Sequence, residues 1–106
     1  MHECAEIRRI AGYQSAISLN SHRQSLEIRE RLAKLDPGNA GLQGDLAFSY
    51  FRTGTTLARA EPKSKIDARE MVRKAQDILR SLEGRTGLTA QQQRRLNSIE
   101  SALRAG

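Results

Sequence analysis

The side chains able to ligate a metal or serve as nucleophile and base are few: His2, His22 and Cys4 are the only histidines and the only cysteine in 106 residues. A zinc site needs four ligands, usually supplied as two close pairs, and His2 with Cys4 is one pair without a second. Glu27 and Glu30 could form a carboxylate pair on one helix face, but Arg23, Arg29, Arg31 and Lys34 surround them. Ion pairing across one helical turn, Glu27 with Arg31 or Glu30 with Lys34, is a sufficient use of that pattern. Gly38, Gly41 and Gly44 stand at threefold spacing, yet no strand precedes them and the turn after Pro37 already accounts for Gly38. No Gly-x-x-x-x-Gly-Lys phosphate loop occurs. No enzyme activity, metal or cofactor is therefore expected.

Binding to an acidic partner is the chemistry left open. The chain carries 18 Lys or Arg against 12 Asp or Glu, a net charge of +6, and its pI is near 10.2. The excess is interspersed with acids, as at Arg69-Glu70 and at Lys65 beside Asp67, which reads as solvated helix faces. Gln91, Gln92, Gln93, Arg94 and Arg95 would give a base-reading face, so a small basic nucleic-acid-binding module is the alternative reading. At the end of the chain the same residues also suit a polar outer cap.

The elements that must position these residues are helical. Ala, Glu, Lys, Leu and Arg make up about half of the chain, and Val occurs once, at Val72, leaving a sheet little of its preferred material. Between Ser64 and Leu82, Ala68, Met71, Val72, Ala75, Ile78, Leu79 and Leu82 form one apolar stripe, with Ser64 as the expected cap and Gly84, then Gly87, as the stop. A segment after Asn39 carries Leu42, Leu46, Tyr50, Thr53 or Gly54, and Leu57 on one face, with Gly41 and Gly44 weakening its start. Thr89 and Gln92 form a capping box ahead of Leu96, Ile99 and Leu103. Asp36-Pro37-Gly38-Asn39 is a turn that ends a helix containing Leu26, Ile28, Leu32 and Leu35. Upstream, Ile7, Ile10, Ala11 and Ile17 suggest a further helix. A break at Ser18-Leu19-Asn20-Ser21, with Ser21 and Gln24 as a second capping box, is preferred to one long helix. No apolar run approaches the ~20 residues of a membrane span, the start of the chain has no signal-peptide pattern, and a lone cysteine suits a reducing, cytoplasmic setting.

Displacing the sequence by 50 residues aligns Arg23 with Arg73, Ile28 with Ile78, Leu32 with Leu82 and Leu46 with Leu96. Residues 25–50, from Ser25-Leu26-Glu27-Ile28 through Asp36-Pro37-Gly38-Asn39 to Phe48-Ser49-Tyr50, followed by Gly54, resemble the tetratricopeptide repeat. They look most like the long-helix variant found in large multi-domain bacterial proteins, where such arrays follow signalling domains. Under the resemblance Tyr50 opens the first helix of a repeat, Gly54 is its close-packing residue, Leu57 the bulky one after it, and Ala68, Val72 and Ala75 the small, large, small series of the second helix. Thr53 departs from the pattern, standing where the family has an apolar residue, and Ala60-Glu61-Pro62-Lys63-Ser64 is longer than the usual turn.

The resemblance implies an all-α fold of antiparallel helix-turn-helix repeats, a fragment of an α-solenoid with four to five helices. Residues 1–38 would be a partial repeat, 39–84 a complete one and 85–106 a capping helix. It also implies a non-catalytic protein-protein interaction or scaffolding module whose concave face carries Phe48, Phe51, Thr55, Ala58 and Arg59. Phe48 and Phe51 could instead pack on the preceding helix near Ile28 and Leu32. The expected partner is a protein or peptide, or other domains of a parent chain. About three stacked units are normally needed for stability, so the chain is expected to be the end of a longer array or to cover its N-terminal edge by self-association through Ile7, Ile10 and Ile17.

Overall fold

The computed structural model describes the backbone of residues 2–105 and the side chains of residues 17–105. Among them the chain is all-α: α1 (His2–Leu35), α2 (Ala40–Ala60), a one-turn 3-10 helix (Pro62–Ser64), α3 (Lys65–Arg85) and α4 (Ala90–Ala105), with no strand.

The expected break at Ser18–Ser21 is absent, and α1 runs through it as one helix. Ser and Asn there cost only tenths of a kcal/mol each in helix propensity. Leu19, Leu26 and Ala33 recur at a spacing of seven on one buried side, a stripe that a turn at residue 20 would disrupt. Ser18, Asn20 and Ser21 simply face solvent. The turn at Asp36-Pro37-Gly38-Asn39 forms as expected: the Leu42 amide donates to Asn39 Oδ1 at 3.1 Å, and Gln43 Nε2 donates to the Pro37 carbonyl at 3.3 Å. These bonds hold the glycine-bearing first turn of α2, and Gly44 is buried within it.

Two other ends differ from their expected form. Ser64 does not cap α3; its hydroxyl donates to Glu61 Oε2 at 3.1 Å, because the 3-10 turn after Pro62 already leads the chain into the helix. Gly84 lies inside α3 and the stop falls at Gly87, whose φ of 77° suits glycine and lets its amide donate back to the Leu82 carbonyl at 3.1 Å. The Thr89–Gln92 capping box is present in both directions, Gln92 N to Thr89 Oγ1 at 3.1 Å and Thr89 N to Gln92 Oε1 at 3.0 Å.

The main core joins α2, α3 and α4. Ala47, Val72, Ala75, Leu79, Leu82, Leu96 and Ile99 are buried together, with Phe51, Ile78 and Leu103 packed against them. Gly54 is the contact point of α2 and α3: a Cβ there would sit 2.8 Å from the Ala68 carbonyl oxygen and 2.9 Å from Val72 Cγ2. The close packing expected of Gly54 is thus present between α2 and α3. The α1–α2 contact is thinner, with Leu26 and Ala33 on Leu46, and Leu19 on Leu57 and Ala68. Arg29 reinforces it by donating to Ser49 Oγ at 2.6 Å.

Candidate functional site

The expected concave face of α2 is spread over three environments. Phe51 is half-buried against the α2–α3–α4 core. Ile28 and Leu32, the alternative packing partners for Phe48 and Phe51, are exposed on α1. Phe48 instead meets α4: the guanidinium of Arg95 lies 3.9 Å from its ring centroid, and that of Arg52 lies 5.4 Å away. The ring therefore draws together two cations from two helices, with the quadrupole of its face offsetting part of their repulsion.

Thr55 and Ala58 line a cavity of about 320 Å³ between α2, α3 and the end of α4. Its floor is Gly54, Ala68 and Val72, and its walls are Ile66, Ala102 and Leu103. The cavity shares residues with the core: Gly54, Ala68 and Val72, which meet where α3 closely approaches α2, are part of its lining, and Ala58 and Ala102 contribute only small side chains to it. Ile66 is among the most exposed large apolar residues, at 81%. The charged side chains at the cavity are Lys65 and Arg69, and no carboxylate lines it. Arg69 is held in place by donating to the Leu103 carbonyl at 2.9 Å.

Arg59 is exposed, one turn beyond Thr55. With Arg52 it acts on His22 of α1: burial first, then these two cations, hold the imidazole below its usual 6.5. Among the described residues the ion pairs are those of Arg80, with Glu83 on its own helix and Glu100 on α4. The hydrogen bond from Arg80 is the main cause of a lowered Glu100 pKa. The pairs expected between Glu27 and Arg31 and between Glu30 and Lys34 are not formed. Arg29 turns to Ser49, and Glu30 faces Tyr50, whose phenol is raised by burial first and then by that carboxylate.

The cavity's Ile66 and Arg69 were not among the sequence-derived site residues, and Arg95, expected only as part of a base-reading face, is the stacking partner of Phe48. Arg69 is indistinguishable in the sequence from any exposed helix cation, because its role depends on where α4 ends. Of the three residues expected for self-association, Ile17 is exposed, at 51%, and Ile7 and Ile10 lie outside the residues whose side chains are described. His2 and Cys4 lie there too. Among the described residues no group of three His, Cys, Asp or Glu is placed to hold a metal, and no helix is long and apolar enough to cross a membrane. The base-reading face is partly engaged within the chain, since Gln92 closes the α4 cap, Gln93 donates to Asn97 and Arg95 covers Phe48. Comparison with family models, with curated proteins and with solved structures finds no match.

Proposed function

We propose that the chain is a non-catalytic scaffolding segment, built as a tetratricopeptide-like pair of helices with flanking partial units, that captures an acidic peptide segment of a protein partner or of its own parent chain. The observation that carries this reading is the cavity between α2, α3 and α4: an apolar floor sized for one or two side chains, with cations as its charged rim. A Leu or Phe anchor flanked by Asp or Glu matches both features, the anchor displacing water from Val72 and Leu103 and the carboxylates meeting Lys65 and Arg69. Arg52, Arg59 and Arg95 extend the positive surface along α2 and would steer such a segment toward the cavity. The resemblance to repeat arrays beside bacterial signalling domains makes a cytoplasmic regulatory tail the setting that fits.

Fluorescence anisotropy with a labelled Glu-rich peptide carrying one central Leu tests the proposal. Binding should weaken on replacing that Leu by Ala in the peptide, on Ala58→Trp, which fills the cavity, and on Arg69→Glu. A nucleic-acid module would behave differently: a DNA duplex would bind, its affinity would fall steeply with salt, and Ala58→Trp would leave it unchanged. Equal binding of the Leu and Ala peptides would overturn the groove as the site.

A further inference from the structure

The outer side of α1 contrasts with its inner side. Leu19, Leu26 and Ala33 are buried toward α2 and α3. At about 100° per residue, Ile17, Ile28 and Leu35 fall within roughly 20° of one line on the opposite side of the helix. They are 51%, 55% and 82% exposed, and Leu32 beside them is 42% exposed. Positions 17, 21, 24, 28, 31 and 35 alternate steps of four and three, the repeat of a coiled-coil seam, and the sequence continues that alternation backward through positions 14, 10 and 7, where Ile10 and Ile7 stand. The helix therefore carries two seams, one used within the chain and one left open.

We propose that a second copy of this chain covers the open seam, α1 against α1, antiparallel, with position 28 of each copy opposite position 17 of the other. The seam is complementary to itself in this register. Ile28 meets Ile17 twice across the two-fold axis, Ser21 meets Gln24, Ser18 meets Ser25, and Asn20 meets Glu27. Carried outward by sequence position, 35 falls opposite Ile10, 32 opposite Ala11, 31 opposite Gln14 and 34 opposite Tyr13. Among the described side chains Ile17 and Ile28 thus find apolar partners, and no two like charges face each other. The parallel in-register pairing instead sets Arg31 against Arg31, a like-charge contact at the seam. Residues 10–35 of each helix overlap over about 39 Å at 1.5 Å per residue, forming a closed interface with two-fold symmetry. Because α2 lies on the other side of α1, both copies keep their α2–α3–α4 units outside the pairing. The seam is separate from the cavity above, so it stands or falls independently of the peptide-binding reading.

Sedimentation velocity of the whole chain at micromolar concentration should show a concentration-dependent dimer. Ile28→Glu should weaken it by at least about tenfold, since each dimer would bury two charges against apolar partners, while helicity stays that of the parent. Orientation is read by cysteine cross-linking in a Cys4→Ser background. A mixture of the Ile17→Cys and Ile28→Cys chains should form a mixed disulfide dimer, and each variant alone should cross-link poorly, because in this register the two copies of either position lie about 16 Å apart along the helix axis, beyond disulfide reach. Efficient cross-linking of each variant alone would establish the parallel pairing and overturn the register. A parent chain that stays monomeric throughout would overturn the proposal altogether.

Discussion

Helix α2 has two long neighbours and meets them by different means. Against α3 it presents Gly54, so the backbones approach until a single added carbon would strike the Ala68 carbonyl, and further along the same core Leu79, Leu82, Leu96 and Ile99 pack with Ala47, all four at most 1% exposed. Against α1 it presents Leu46, with Ser49 bonded to Arg29, and one heptad beyond Leu46 comes Thr53, fully buried with no partner for its hydroxyl. One interface is dry, deep and specified by volume. The other is shallow, partly polar and specified by spacing. Most of the fold's stability should therefore reside in α2, α3 and α4, with α1 held as a long, weakly anchored strut whose free side remains available.

The largest effect should come from truncating each interface in turn. Leu79→Ala removes a side chain 1% exposed at the centre of the main core and should cost about 3–5 kcal/mol by chemical denaturation. Leu26→Ala, in the thinner interface, should fall near the low end of the range for such changes, about 2 kcal/mol. Equal losses would mean that α1 belongs to the same cooperative core and that the contrast between the interfaces is only one of appearance.

Gly54→Ala sharpens the α2–α3 side. In an open helix the change would gain about 1 kcal/mol through propensity. Here the new carbon would lie 2.8 Å from a backbone oxygen, which yields only if α3 moves, so the balance should be a net loss of about 1–3 kcal/mol. A variant that melts above the parent would show that the helices can separate there at no cost.

Those two positions show what the sequence reveals and where it falls silent. The stripe Ala68, Val72, Ala75, Leu79 and Leu82 was legible because three-and-four spacing states which side of a helix is buried, and Gly54 was expected at a close approach because the repeat resemblance sets a small residue there. The Thr89–Gln92 cap was legible because its partners are three residues apart and need no tertiary information. The continuity of α1 was not, since Ser18, Asn20 and Ser21 carry turn chemistry locally and only the register of Leu19, Leu26 and Ala33 against α2 overrides it. The cavity was half legible: Thr55 and Ala58 followed from helix geometry on α2. Ile66, Arg69 and Leu103 join them through the crossing of α3 and α4, a relation between residues more than thirty apart, as the 34-residue span of the Arg69–Leu103 hydrogen bond shows.

Thr53→Val addresses the polar defect on the α1 side. The hydroxyl is buried and makes no hydrogen bond, whereas valine has nearly the same shape and no group to satisfy. Because an unpaired buried polar group costs about 1–3 kcal/mol, the variant should be more stable than the parent by about 1 kcal/mol. A loss instead would mean that the hydroxyl finds a partner in solution, such as a trapped water between α1 and α2.

The smallest effect is a titration that reports on the same interface from its far end. His22 is held below 6.5 by burial first and by Arg52 and Arg59 second, so the folded chain binds its proton less readily than the unfolded one. Stability from this group is accordingly complete above pH 6.5 and declines as the pH falls through 6.5 toward the folded value, the unfolded chain taking up the proton first. In a His2→Gln background, proton NMR should give a His22 midpoint below 6.5 that rises in the Arg52→Gln, Arg59→Gln double variant without reaching 6.5, because desolvation, the leading cause, is left in place. A midpoint at 6.5 in the parent would mean that α1 swings away from α2 often enough for the imidazole to sit in water, placing the weak point of the fold at this contact. A midpoint unmoved by the double variant would leave burial alone in control and remove Arg52 and Arg59 from the positive surface that reaches α1.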